Sequence, residues 1–323
     1  MTEGASSGGR GALPPPPDGE EAAGRSTGPR TPAEARAAPW AERWPPPPPG
    51  AAAAAEAEEG SVLRLLAVPW AGAGASAYAG WAAHLGPEVE LWAVRPPGRE
   101  GRTEAEAEEA GADLRALAAA AAAALAPLPA EKPYALFGHG TGAWVAFALL
   151  RALVATGAPP PLAFFASNFP SPFVDRAEFL PDLPAALGDR RAAAAALRPF
   201  GLPATLFEPT LWETFGGAVR REYGLLEGLE PPGDDGDDAA AGGGKIPCRF
   251  RAFLSQDDPV VGPKAGQPEL MEGWGWLSTH KHMAVDVFQG DHFYLCDPDV
   301  GEAVAKAVGG YCQALADELT FEL

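Results

Sequence analysis

The chain is poor in the features that mark secreted, membrane-embedded or nucleic-acid-binding proteins. It has three cysteines in 323 residues, Cys248, Cys296 and Cys312. They have neither disulfide-like nor metal-like spacing, so a reducing compartment is the simple expectation and no metal or organic cofactor is indicated. It has no run of about 20 apolar residues, which a membrane-spanning helix requires. Cations are scarce: 24 Lys and Arg stand against 43 Asp and Glu, a formal net charge of −19. That balance argues against nucleic acid and anionic membranes as partners. The first sixty residues have little that could form a core. They are mostly Pro, Ala, Gly, Glu and Arg, with proline runs at 14–17 and 45–49, and the expectation for 1–60 is a disordered tail. The tail lacks the apolar stretch of a secretory signal and carries early acids, so a cytoplasmic protein is expected, with plastid or mitochondrial import as the alternative.

What remains, residues 61–323, is enough for one α/β domain with a sizeable core. Apolar runs at Val62–Val68, Val89–Val94, Tyr134–Phe137, Leu162–Ser167, Arg249–Leu254 and Val285–Phe288 read as strands. Helical patterns lie between them, at 111–126 and 143–150, and Val300–Leu319 ends the chain as an amphipathic helix. Alternation of this kind predicts a mostly parallel sheet with helices on both faces. Residues 168–230 hold no good strand but several helical pieces cut by prolines, the pattern of an inserted helical lid. Residues 231–244, acidic and then glycine-rich, read as a disordered insert.

The most informative stretch is Gly138-His139-Gly140-Thr141-Gly142. It has the glycine frame of a G-x-S-x-G nucleophile elbow, and it lies between a strand and a helix, the setting an elbow requires. At the centre, where the elbow carries its serine, stands Gly140. The other triad members follow in the expected chain order. Asp258 comes after the Arg249–Leu254 strand and His292 after the Val285–Phe288 strand, both at strand carboxyl ends, where catalytic groups gather in such sheets.

With Pro69-Trp70-Ala71-Gly72, Ser76, Tyr78 and Trp81, then Pro97-Gly98-Arg99-Glu100, Phe137-Gly138-His139, Gly142-Ala143, Asp258-Pro259 and Gly290 with His292-Phe293, the chain resembles the type II thioesterases of the α/β-hydrolase superfamily. Those enzymes remove acyl groups from the carrier proteins of fatty acid, polyketide and non-ribosomal peptide synthases. The resemblance implies an α/β-hydrolase fold with a lid, a monomer, and as partner an acyl or peptidyl carrier protein bearing a phosphopantetheine thioester. Carried over position by position, the acid falls on Asp258, the base on His292 and the oxyanion donors on the amides of Thr141 and of Trp70 or Ala71. The nucleophile position falls on Gly140, which has no side chain with which to form an acyl-enzyme. The expected consequence is impaired turnover, the alternative being a pseudo-hydrolase that binds an acyl chain or carrier protein. Glycine suits the turn, because it adopts positive φ without steric cost.

The remaining polar residues have plainer readings. Thr141 is structural first and a displaced nucleophile second, His139 packs behind the site, and His84, His280 and His282 belong to the surface. Arg95, Arg99 and Arg102 are solvated loop charges or internal salt-bridge partners first, and contacts for an acidic carrier or its phosphopantetheine phosphate second. Trp212, Phe215 and Tyr223 pack the lid before they line an acyl pocket.

Overall fold

A computed structural model of the chain describes residues 31–46, 60–103, 105–106, 113–179, 186–198, 202, 204–226, 245–280 and 282–321. Seven strands form one sheet: β1 (Ala41–Trp44), β2 (Leu63–Val68), β3 (Val89–Val94), β4 (Tyr134–His139), β5 (Ala163–Ser167), β6 (Arg249–Ser255) and β7 (Ala284–Phe288), in the order β1-β3-β2-β4-β5-β6-β7. All neighbours are parallel except β1, which runs antiparallel to β3 with Ala41 opposite Val94 and Trp44 opposite Leu91. The three innermost early strands, β2, β3 and β4, are buried at every position. That is why they read as continuous apolar runs rather than as alternation.

A core lies on each face. On one, helices α2 (Leu114–Leu125) and α4 (Thr141–Ala155) cover Leu66, Leu136 and Phe164. Asp113 caps α2, its carboxylate accepting from the Ala116 amide at 2.8 Å. A short helix α3 (Pro127–Glu131) leads into β4. On the other face, the carboxy-terminal helix α9 (Pro298–Phe321) and a 3-10 segment at Ala75–His84 cover Leu65, Phe137 and Phe253. Between β5 and β6 lie the pieces of the lid, α5 (Arg176–Phe179), α6 (Arg190–Leu197) and α7 (Pro209–Leu225). Each of the last two starts where an N-terminal signal stands: Asp189 bonds the Arg191 and Ala192 amides, and Pro209 opens α7. Helix α8 (Gly273–Trp276) follows β6. Residues 1–30 and 47–59 of the expected tail, and the expected insert at 231–244, lie outside the described residues.

The expectation that all of 1–60 is a tail needs correction. Thr31 and Glu34 form a capping box, with the Glu34 amide donating to Thr31 Oγ1 at 3.1 Å and the Thr31 amide to Glu34 Oε2 at 3.0 Å, and helix α1 (Pro32–Ala37) follows. β1 then adds an outer strand to the sheet. Composition hides this segment because Ala-Glu-Arg-Trp is short, half charged and followed by a proline run. Its charges are nonetheless satisfied. Arg43 pairs with Glu34 at 2.7 Å and approaches Glu90 at 3.5 Å.

Glu90 is the hub of a buried polar cluster. Arg64, itself fully buried, donates from Nε to Glu90 at 2.8 Å, and from Nη1 to the Leu128 carbonyl and Glu131. Lys132 donates to Glu90 at 2.9 Å and to the Ser61 hydroxyl, which in turn donates to Glu90. Burial alone would raise the Glu90 carboxyl, but the hydrogen bonds from Ser61, Arg64 and Lys132 and the charge of Arg43 outweigh it and bring it down to about 2. A carboxyl lowered on folding stabilises the fold above its unfolded value near 4.5 and loses that contribution as pH falls toward 2. Glu90→Gln should therefore cost about 3 kcal/mol at neutral pH, with the difference from wild type shrinking between about pH 5 and 2. Urea unfolding at pH 7 and pH 3 measures this, and equal acid sensitivity of the two proteins would contradict it.

Candidate active site

The elbow forms because three backbones approach closely. A Cβ on Gly138 would lie 2.4 Å from the Gly142 carbonyl oxygen, and one on Gly142 would lie 2.5 Å from that of Pro69. No side chain fits either place, so both glycines of the frame are needed to seat α4 against the end of β2. Gly140 has φ +54° and serves as N-cap of α4, with its amide bonded to the Ser167 carbonyl at 2.9 Å. A non-glycine residue in that conformation is strained. A Cβ placed on Gly140 would stand 3.2 Å from His292 Nε2 and 3.5 Å from Trp70 Cβ.

Asp258 and His292, which the sequence nominates as acid and base, lie side by side. His292 Nδ1 and Asp258 Oδ2 lie 2.6 Å apart, and both residues are buried. The other carboxylate oxygen of Asp258 accepts the Val260 and Val261 amides at 2.8 and 2.9 Å. A carboxylate offers only acceptors, so Nδ1 of His292 carries the proton toward Asp258 and Nε2 of the neutral ring turns its lone pair toward Gly140. The pair is thus oriented as a base for a group at the elbow, where no hydroxyl stands.

Thr141 is the first residue of α4, so its amide has no intrahelical partner. The Ala71 amide donates to Thr141 Oγ1 at 2.8 Å. The two donors the sequence nominates are therefore adjacent, and the Ala71 amide is engaged by the Thr141 hydroxyl. Trp70 packs edge-on against His139 and Phe293, with ring centroids 5.2 and 6.4 Å away.

Sequence reasoning missed the residues that brace these groups. Asn168, at φ +46°, ties the end of β6 to the histidine loop. Its Nδ2 donates to Ser255 Oγ at 2.6 Å and to the His292 carbonyl at 3.3 Å, while its Oδ1 accepts the Ser255 amide at 2.8 Å. Behind His292, His139 Nδ1 meets Ser167 Oγ at 2.8 Å, and Ser167 meets Tyr294 OH at 2.7 Å. Burial pushes the His139 imidazole well below its ordinary range, and the His292 ring 5.3 Å away adds to the effect. His139 therefore sits neutral under the base.

The lid closes on this site. Leu202, Val219 and Tyr223 face Trp70, Ala71, Thr141, His292 and Phe293 around a void of ≈ 10 Å³, room for about one water. Glu222 of α7 accepts the Gly72 amide at 2.8 Å and pairs with Arg99, which also donates to the Ala73 carbonyl. The three arginines after β3 are all held internally: Arg95 donates to the Glu100 carbonyl at 2.6 Å, and Arg102 to the Arg95 carbonyl at 2.9 Å. Of the lid aromatics, Trp212 and Tyr223 are buried and Phe215 is exposed.

The family model for the thioesterase domain matches residues 63–311. The chain is 32% identical to the gramicidin S biosynthesis protein GrsT of Aneurinibacillus migulanus, over 72% of this chain and 83% of that protein. It is 27% identical to the medium-chain S-acyl fatty acid synthase thioesterase of Rattus norvegicus, over 74% of this chain and 84% of that enzyme. Among solved structures it is similar to the RedJ thioesterase of the prodiginine biosynthetic pathway in Streptomyces coelicolor, with 26% identity and a TM-score of 0.63 over 78% of this chain and 91% of that one. With its mostly parallel seven-stranded sheet, buried Asp258–His292 pair and elbow, the chain has the α/β-hydrolase fold and belongs to the thioesterase family, on its type II side.

Proposed function

We propose that this chain binds acyl thioesters presented on the phosphopantetheine arm of a carrier protein, and hydrolyses them slowly because Gly140 carries no nucleophile. The observation behind this reading is the aim of His292: its Nε2 lies 3.2 Å from where a Cβ at residue 140 would be, and its other nitrogen is held by Asp258 at 2.6 Å. The names of the relatives, an S-acyl fatty acid synthase thioesterase, a probable cadicidin biosynthesis thioesterase and a gramicidin S biosynthesis protein, support the substrate class.

In a serine enzyme of this design, His292 would take the hydroxyl proton, the serine would attack the thioester carbonyl, and the amides of Thr141 and the Trp70–Ala71 loop would hold the oxyanion. Here the group within reach of His292 is a water in the place of the missing hydroxymethyl. It gives its proton to Nε2 and its oxygen to the carbonyl carbon. The carbon–sulfur bond breaks, the proton passes from His292 to the sulfur, and acid and thiol leave. Removing a nucleophile of this kind costs on the order of 10⁶ in rate, while oxyanion donors and binding retain about 10³–10⁴ over water. Gly140 itself favours a second reading, binding without turnover.

Hydrolysis of an acyl-pantetheine thioester by wild type, Gly140→Ser and His292→Ala separates these readings. Gly140→Ser should gain about 10³-fold or more in kcat. A wild-type rate that is measurable and lost in His292→Ala supports slow hydrolysis by water; a wild-type rate equal to that of His292→Ala supports binding alone. Equal high rates in wild type and Gly140→Ser would overturn the assignment of the nucleophile position. Gly140→Ala should leave activity low and lower stability by about 1–3 kcal/mol, the cost of a side chain at this positive φ, read from its urea midpoint. A midpoint at or above that of wild type would show that the turn is not strained.

A further inference from the structure

A second cavity, of ≈ 40 Å³, adjoins the site, and Thr141 borders both. Val68 and Val94, at the ends of β2 and β3, line it together with Ala121 of α2 and Val145 of α4. Apart from Thr141 and Glu222 its lining is apolar, and Glu222 is already occupied by the Gly72 amide and Arg99. Such a space does not hold water well and gains from an apolar guest. Trp40 completes the wall. It stands between α1 and β1, in the segment that precedes the 63–311 family match. Its backbone is fixed at both ends, the amide donating to the Ala37 carbonyl at 2.8 Å and the carbonyl accepting from the Arg95 amide at 2.7 Å. The Arg102 guanidinium lies over its ring, 4.1 Å from the centroid. The indole is therefore a firm barrier, supplied by a part of the chain that the family match does not include.

We propose that this cavity receives the end of the acyl chain and that Trp40 limits its length, so that the protein selects short acyl groups. The proposal rests on the thioester-binding reading above and names its substrate class. An apolar cavity of about 150 Å³ takes a benzene ring, about 25 Å³ per carbon. The cavity therefore takes about one or two carbons beyond those at the reacting carbonyl, an acyl group of about three or four carbons in all. The rat relative, by contrast, is named for medium chains.

Non-hydrolysable thioether analogues of acyl-pantetheine, with acyl chains of two to twelve carbons, test this by titration calorimetry on the full chain, whether or not it turns over. Wild-type affinity should rise about fourfold per methylene to about four carbons and then fall. Trp40→Ala should move that break to longer chains, and Ala121→Phe, which fills the cavity from the opposite wall, should move it to shorter ones. A break at the same length in all three proteins, or wild-type affinity that climbs steadily to twelve carbons, would overturn the role of Trp40 while leaving thioester binding intact. Failure of every analogue to bind wild type would remove the thioester reading and this inference with it.

Discussion

The site depends on one steric constraint, the close approach of helix α4 to the end of β2. Gly142 has the Pro69 carbonyl where a side chain would begin, and Gly138 has the Gly142 carbonyl. With no Cβ at either position, the first turn of α4 settles onto the Pro69–Gly72 loop. That contact brings Thr141 beside Ala71, joins them through the Thr141 hydroxyl at 2.8 Å, and aims the elbow at the loops after β6 and β7. A methyl group at either glycine would lift the helix and move Gly140 and Thr141 away from the Pro69–Gly72 loop. The glycine frame is therefore informative even without its serine, because the frame is set by backbone packing and the serine by chemistry.

This separation explains what could be read from the sequence. The parallel strands were legible because strands covered on both faces are mostly apolar, and β2, β3 and β4, buried at every position, depart from that mainly at Arg64, Glu90 and His139. Asp258 and His292 were legible because an α/β sheet gathers polar side chains at its carboxyl edge. Their order along the chain then nominated them as acid and base. Asn168, Ser167 and Tyr294 were not legible: each is an ordinary polar residue whose partners are 28 to 127 positions away in sequence, and no local period marks such a contact. β1 was hidden for a different reason. Its four residues join the sheet through backbone pairing with β3 and through charges that Glu34 and Glu90 satisfy, so hydropathy gives no sign of it.

The amino-terminal segment also links the two charged features of this fold. Arg43 on β1 reaches the Glu90 cluster at one end of β3, and Trp40, just before β1, lies under Arg102 beyond the other. A strand that contributes little apolar burial is thus held at both ends by guanidinium groups. Buried ion pairs of this sort add little net stability over apolar packing, yet breaking one partner leaves a costly unpaired charge. The pairing of Ala41 with Val94 and Trp44 with Leu91 sets Trp40 against the cavity beside Thr141.

Gly140 shifts the balance between stability and chemistry in one direction. The elbow holds its central residue at φ +54°, a conformation that costs a side chain on the order of 1–3 kcal/mol. Glycine avoids that cost and forfeits the attacking atom. The neighbouring groups do not collapse in response, because none depends on a serine for its hydrogen bonds. Asp258 is satisfied by two amides and His292, and the His292 carbonyl is held by Asn168. A base that remains oriented without its nucleophile leaves only a gap the size of a hydroxymethyl group between Nε2 and the elbow. The imidazole keeps its aim because its orientation is set from the far side of the ring, by Asp258, and not from the elbow.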